Sequence, residues 1–434
     1  MQLKKIKNIR GRLALATCTV LHGAAHAVQP TTDQWDVQSA ILYYSEQDRV
    51  DVLEPAVIST KALDDNNTIS WRGVLDTMSG ATPNGAVPSD QPQTYTSASG
   101  NSYTVPAGAY QTMSFEDTRA ALGVDWTHNL SRLNTRTLTA DISKETDYFS
   151  LGGSATYTFD TENRMTTYAT GFGLNYDLVS PTGGAPPEFG IVPDTVSGGD
   201  DGGEGGEGEG EGDEGLGLNG EQKITASVLL GITQTISRRA LTQLNYTYTR
   251  NDGYLTDPYK LLSVVDNNGE TLNHIYEKRP DSRNGNALYW AFVYHLPRDV
   301  LHLSYRYYWD DWAIQSNTYD LKYRFELGGG HYLQPSLRYY TQTAADFYHL
   351  YLLDGEPLPN FASADYRLAD MQSTIVGIKY GVPVSKSGEF SMRAEYMAQT
   401  GDYNSNDAIG VLKQYDLYPD LTAAILQINF STKF

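Results

Sequence analysis

Over the last nine residues, Leu426, Ile428, Phe430, Thr432 and Phe434 alternate with Gln427, Asn429, Ser431 and Lys433. A β-strand sends successive side chains to opposite faces, so this segment is apolar on one side and polar on the other. The same period of two returns throughout the chain. Ile69, Trp71 and Leu75 oppose Arg72 and Asp76, and Leu122, Val124 and Trp126 oppose Arg119, Gly123 and Asp125. Leu288, Trp290, Phe292 and Tyr294 share one face, and Tyr319, Leu321, Tyr323 and Phe325 another, with Asp320, Lys322, Arg324 and Glu326 opposite the latter. Helical periodicity is scarce, and no stretch approaches the roughly 18 consecutive apolar residues of a spanning helix.

Read in order, the alternation predicts sixteen strands: Trp35–Ser45, one from Val50, Ile69–Thr77, Phe115–Thr127, Leu133–Ser143, Gly152–Phe159, Thr166–Leu178, Lys223–Ile236, Ala240–Arg250, Ala287–Leu296, one from Leu301, Ala313–Phe325, Tyr332–Thr341, Leu368–Tyr380, Phe390–Gln399 and the terminal segment. Seven connections are short. Between them fall five loops of roughly 20 residues or more, at Ser79–Met113, Ser180–Glu221, Asn251–Gly285, Gln342–Tyr366 and Thr400–Pro419. An even strand count with long loops at one end and tight turns at the other points to a transmembrane antiparallel β-barrel with short periplasmic turns and long extracellular loops. A water-soluble sandwich also alternates, but it explains neither the one-sided loops nor a terminal amphipathic strand closing on Phe434. That strand is similar to the signal by which the barrel-assembly machinery recognises Gram-negative outer-membrane proteins. The 32 tyrosines suit aromatic girdles at the two membrane interfaces.

The other end reads as an export signal. Lys4, Lys5, Lys7, Arg10 and Arg12 precede a short apolar run, Leu13 to Leu21, and the small-residue site Ala25-His26-Ala27. Residues 1–27 are expected to be removed, leaving a barrel domain over 28–434. The single cysteine, Cys18, falls inside the leader, so the mature chain offers no disulfide or thiolate metal site. Removing five positive charges from a net charge of −20 leaves −25, which argues against nucleic-acid binding.

In a barrel every backbone group pairs, apolar faces meet lipid and polar faces line the lumen. This register sends Arg72, Asp76, Arg119, Asp141, Arg306, Asp320, Lys322, Arg324, Arg338, Arg393 and Glu395 inward. Such charges either solvate the wall and pair across strands or orient a polar solute. The Gly-rich loop at about 197–220 holds eight acids, from Asp200 to Glu214, and is expected to be disordered because it has nothing to bury. No Ser–His–Asp order, metal-spaced His pair or phosphate loop stands out, and His274, His295, His302, His331 and His349 are scattered. No catalytic residue, cofactor or metal is expected.

Several loop segments carry a more specific signal. They are Tyr44–Val50 (YSEQDRV), Asp76–Ala86 (DTMSGATPNGA), Phe115–Arg119 (FEDTR), Lys144–Tyr148 (KETDY), Gly253–Lys260 (GYLTDPYK) and Tyr276–Arg283 (YEKRPDSR). Together they resemble the domain of unknown function 3570 family of Gram-negative outer-membrane barrel proteins, with the acidic Gly-rich loop as a local departure. The resemblance implies a barrel and brings no catalytic residues with it. Clustered at the loop end, these segments form either an ordered rim or a binding site built from Glu46, Asp48, Asp76, Asp257, Tyr259, Lys260, Arg279 and Arg283.

The resulting expectation is an outer-membrane channel or transport pore for a small polar solute, its mouth narrowed by the loops after the third, seventh and ninth strands. A sheath or scaffold for a periplasmic or surface partner in redox or secretion, and a rim enzyme, are the alternatives.

Overall fold

A computed structural model describes residues 34–96, 102–109, 111–192, 220–401, 403, 406 and 408–434. The expected leader and nearly all of the acidic Gly-rich loop lie outside the described residues. The strands are β1 (Trp35–Glu46), β2 (Val50–Ala62), β3 (Asn67–Pro83), β4 (Gln93–Thr96), β5 (Ser102–Val105), β6 (Thr112–Asn129) and β7 (Asn134–Lys144). Next come β8 (Tyr148–Asp160), β9 (Thr166–Val179), β10 (Glu221–Ser237), β11 (Ala240–Gly253), β12 (Leu261–Val265), β13 (Thr271–Tyr276) and β14 (Ser282–His295). The chain ends with β15 (Val300–Asp310), β16 (Gln315–Gly328), β17 (His331–Gln342), β18 (Leu352–Leu353), β19 (Met371–Ser385), β20 (Gly388–Gly401) and β21 (Leu421–Lys433).

Sixteen of these pair in chain order as a closed antiparallel barrel, the form that leaves no open sheet edge in lipid. The seam joins the two terminal strands, with Ile41 opposite Ile428. There Trp35 N–H donates to the Phe434 carbonyl at 2.7 Å, and Phe434 N–H donates back to Trp35 at 3.1 Å. Along the outside, side chains such as Leu122, Trp71 and Phe172 are among the exposed large apolar residues, with Leu122 65% exposed. Their inward neighbours, such as Arg72, Gly123 and Asn175, are small or polar. The fold is an outer-membrane-type barrel with the start of β1 and the end of β21 at the short-turn end.

Several strand boundaries differ from the sequence reading. β3 and β6 run on to a Pro83–Thr112 pairing, beyond the point where apolar alternation stops. Ala313 lies in the turn before β16 with φ +62°, and Leu368 closes a 3-10 helix before β19. The long loops also carry structure that periodicity could not reveal. β4 pairs with β5, and β12 lies between β13 and a two-residue β18. These strands are too short to display a period.

The loops fold into the mouth of the barrel. Leu42, Tyr44, Val50, Val52, Met78, Phe115, Ala423 and Ile425 form one buried cluster at the loop end. Apolar side chains there point inward, which corrects the expectation that every apolar face meets lipid. Residues packed inside the mouth are shielded from water, and apolar groups are stable there. A second cluster joins Leu262, Ile275, Leu352, Ala362 and Ala364, and a third joins Val87, Val265, Ala408, Leu412 and Leu417. Four of the five long loops therefore share cores, and Val192 and Phe189 bring in the fifth. A side chain at Gly410 would collide with the Asn268 carbonyl, so two loops meet at backbone contact there.

Candidate functional site

Three acids and three cations lie within this loop plug, all buried but Arg367, whose side chain is 9% exposed. Asp257, Lys260, Glu277 and Arg279 come from the β11–β14 connection, and Asp365 and Arg367 from the β17–β19 connection. Local turn chemistry sets their positions. Asp257 accepts the Tyr259 N–H at 3.1 Å across Pro258, and Asp365 accepts the Arg367 N–H at 3.1 Å at the start of the 3-10 helix Tyr366–Leu368. Arg279 meets Glu277 at 2.6 Å and Asp365 at 2.8 Å. Arg367 meets Asp257 at 2.7 Å and also Asp365. Glu277 takes the Asp257 N–H at 2.7 Å and the Ser363 hydroxyl, and Lys260 donates to the Pro83 carbonyl. The six formal charges balance, a condition for holding them out of water.

Burial opposes ionisation of Asp365, yet Arg367, Lys260 and Arg279 together hold its carboxyl far below the usual range. Asp257 is lowered by the same balance of burial against Arg367, Lys260 and Arg279. Burial wins at Glu277, whose carboxyl is pushed up, and at Lys260, whose ammonium falls to about 8. Burial and the adjacent Asp147, to which it donates, push the Tyr259 phenol up.

Beside this network lies a polar cavity of about 320 Å³. Arg119, Ser143, Ser150, Lys223, Asn251 and Arg283 face it from the barrel wall, while Thr256, Asp257, Arg279 and Arg367 face it from the plug. The wall cations are held by acids outside the lining. Arg119 meets Asp76 at 2.6 Å, Lys223 meets Asp177 at 2.6 Å and Arg283 meets Asp310 at 2.5 Å. The Arg283 guanidinium also sits 4.4 Å from the Trp312 ring.

Of the eight rim residues expected from sequence, Asp257, Arg279 and Arg283 line the cavity, and Asp76 pairs with its Arg119. Tyr259 and Lys260 are buried in the plug without lining the cavity. Glu46 is buried elsewhere, accepting the Tyr44 hydroxyl at 2.8 Å, and Asp48 is exposed in the β1–β2 turn with φ +56°. Sequence reasoning missed Lys223, Glu277, Asp365 and Arg367. Glu277 stands in the same segment as Arg279 and could have been taken with it. Asp365 and Arg367 had no pattern to mark them.

Around the barrel, the inward charges segregate by wall. From β15 to β20 they are Arg306, Lys322, Arg324, Arg338, Lys379 and Arg393, with Asp310, Asp320, Glu326, Glu389 and Glu395. From β2 to β7 they are Glu54, Asp76, Asp117, Asp125 and Asp141, with Arg72 and Arg119. These arcs lie roughly opposite each other in the ring of sixteen, so the described lumen has a weakly basic wall facing an acidic one. Pairing is local: Arg338 meets Asp320 at 2.8 Å and Arg72 meets Asp141 at 2.7 Å. Lys379 and Glu54 follow the same parity but were passed over in the sequence reading. Among the described residues, no group of three or more His, Cys, Asp or Glu side chains is arranged to hold a metal ion.

A family model described as "Protein of unknown function (DUF3570)" matches residues 10–432. No curated protein matches. Solved structures similar to this chain include OccK3 (OpdO) of Pseudomonas aeruginosa, at 9% identity and TM-score 0.41, covering 93% of this chain and 96% of that one. The CymD monoaromatic hydrocarbon channel is 7% identical with TM-score 0.39, over 94% and 89% of the two chains. A bacterial polysaccharide outer membrane secretin is 9% identical with TM-score 0.43, over 93% and 99%.

Proposed function

The chain belongs to the DUF3570 family, and we propose that this member is a non-enzymatic transport pore passing a small polar solute across the Gram-negative outer membrane. Export by the N-terminal leader and insertion by the barrel-assembly machinery through the Phe434 strand would set the termini in the periplasm and the plugged mouth outside. The observation carrying this reading is the polar cavity of about 320 Å³ inside the ring between wall and plug. A barrel serving only as a shell has no need of a solute-sized polar space bounded by ten or so hydrogen-bonding side chains. The segregated charge of the lumen supports the same reading, because opposed walls orient a polar solute in transit.

The filled mouth makes the pore a restricted one. Passage then requires the plug to shift, or solutes to thread between plug and wall at the cavity. Purified protein in planar bilayers should give discrete but small conductance steps, and proteoliposomes should admit xylose faster than empty vesicles. A barrel that stays electrically silent, admits no solute and co-purifies with a second protein in mild detergent is a scaffold, and the transport reading fails.

A further inference from the structure

We propose that the cavity between wall and plug is a binding site for a small oxyanionic solute, one bearing a carboxylate or phosphate group. That such anions are the solutes carried rests on the transport reading; binding itself does not. Five cationic side chains converge on the cavity: Arg119, Lys223, Arg279, Arg283 and Arg367. They come from three wall strands and two loops that meet only in the folded barrel.

The acids do not cancel them at the cavity surface. Asp76, Asp177, Glu277, Asp310 and Asp365 all pair with these cations, yet none belongs to the lining. Each acid anchors a cationic head from outside the cavity. A guanidinium has five N–H donors in a fixed fork, so one or two bonds to an anchoring acid leave others for a ligand. The lining shows such a surplus. Nη1 of Arg367 is buried and has no hydrogen-bond partner among the described residues. A buried donor without an acceptor is unfavourable; because this Nη1 has no surface open to the cavity, the guanidinium would turn to offer it to an entering oxyanion.

Two carboxylates also reach the cavity. Asp257 is already engaged by Arg367 at 2.7 Å and by the Tyr259 N–H at 3.1 Å. Glu145, which has a partner of its own, also lines the cavity. Ser143, Ser150, Asn251 and Thr256 supply neutral hydrogen bonds for the rest of the ligand. A volume of about 320 Å³ is roughly that of ten liquid waters at about 30 Å³ each, which restricts the occupant to a small molecule. Planar guanidinium forks in such a space match a carboxylate or a phosphate better than they match a halide or a sugar.

The test uses the full mature barrel in detergent micelles, titrated with sodium succinate, sodium phosphate and xylose at constant ionic strength. Trp312 in the lining serves as a fluorescence reporter and calorimetry as the second readout. Saturable binding of succinate or phosphate, with none for xylose, is expected, and the tighter of the two identifies the headgroup. Arg283→Gln should weaken binding about tenfold, as should Lys223→Gln, while Glu145→Gln should tighten it. Heat-modifiable gel migration establishes that each variant is folded. The proposal is overturned if the folded wild type binds neither anion saturably, or if both cation variants fold and bind as the wild type does. Xylose uptake by proteoliposomes without anion binding sinks this site and leaves the pore; anion binding with no solute uptake of any kind does the reverse.

Discussion

Arg367 sets its Nη2 2.7 Å from the Oδ2 of Asp257, a residue 110 positions earlier in the chain. With the Arg279–Asp365 pair at 2.8 Å, it ties the β17–β19 loop to the β11–β14 loop. Removing one partner of a buried ion pair typically costs about 3–5 kcal/mol, because the other charge is left without compensation. Arg367→Gln should therefore release the plug while the barrel ladder, which it does not touch, stays closed. Hydrogen exchange should accelerate across residues 254–281 and 343–370, with heat-modifiable gel migration unchanged. If both loops keep wild-type protection, this network is not what docks them.

The same network gives plug docking a pH profile. Asp257 and Asp365 titrate below their ordinary 3.8 in the folded state. Their contribution is complete above that value and is lost as pH falls below it, because the undocked loops then bind more protons. Lys260, lowered from 10.5 to about 8, has the opposite partner state: docking is penalised while it is charged, and the penalty lifts as pH rises from about 8 to 10.5. Glu277, raised above 4.5, favours docking at low pH and loses that contribution as pH rises through its folded value. Two lowered carboxylates outweigh one raised one, so protease protection of the loops should collapse below about pH 4 and increase between pH 8 and 10. Lys260→Met should abolish the alkaline rise and leave the acid collapse.

The alternation of the wall predicts where a charge can be tolerated. Leu122 is 65% exposed on the outer face of β6, and Thr137 faces inward on the neighbouring β7, within 3.1 Å of Thr127. An arginine facing mid-bilayer lipid costs about 2–4 kcal/mol, whereas a lumenal one stays in water. Leu122→Arg should lower the urea midpoint for unfolding from lipid vesicles. Thr137→Arg should shift it by a small fraction of that amount. Equal shifts would mean that the two faces have been exchanged.

Much of this barrel was legible in the sequence, because its information is local. Each strand reports its own two faces, and Ile69, Trp71 and Leu75 against Arg72 and Asp76 need no distant partner to be read. The sixteen wall strands and their closure follow from that period and the loop lengths. The plug was not legible for the converse reason. Arg367 and Asp257 acquire meaning only by meeting across 110 residues, and β18 is two residues long. Glu46, Asp48 and Arg279 looked equivalent as charged residues in loop segments. Only the chain's path sends Arg279 to the cavity, buries Glu46 against Tyr44 and leaves Asp48 in solvent.

Phe434 contributes to the seam through its backbone as well as its ring. Its N–H and carbonyl exchange hydrogen bonds with Trp35 at 3.1 and 2.7 Å, while its side chain is 68% exposed. Deleting it removes the last paired rung between the terminal strands and the aromatic end of the expected assembly signal. Two hydrogen bonds contribute about 1–3 kcal/mol together, little for a barrel of sixteen strands. The deletion should therefore reduce the amount assembled in cells several-fold while barrel refolded in vitro stays close to the wild type in stability. Phe434→Ala, which keeps the rung, should reproduce the assembly defect if the ring is what is recognised. Wild-type assembly of both variants would remove the terminal aromatic from the insertion pathway.

The opposed lumen walls make ion selectivity adjustable in both directions. Arg338 and Arg393 stand on the basic wall, and Asp125 and Asp141 on the acidic one. Fixed charges of one sign raise the local concentration of their counter-ions, and low-dielectric walls strengthen the effect. Arg338→Gln combined with Arg393→Gln leaves Asp320 and Glu395 without their partners. The lumen then gains net negative charge, and the reversal potential in a potassium chloride gradient should move toward potassium, with a permeability ratio changed on the order of a few-fold. Asp125→Asn combined with Asp141→Asn frees Arg72 and should move it toward chloride. The acidic pair and the basic pair must shift selectivity in opposite senses if ions pass between these walls. Shifts of the same sign, or none in a conducting barrel, would place the ion path at the cavity end, away from the wall charges.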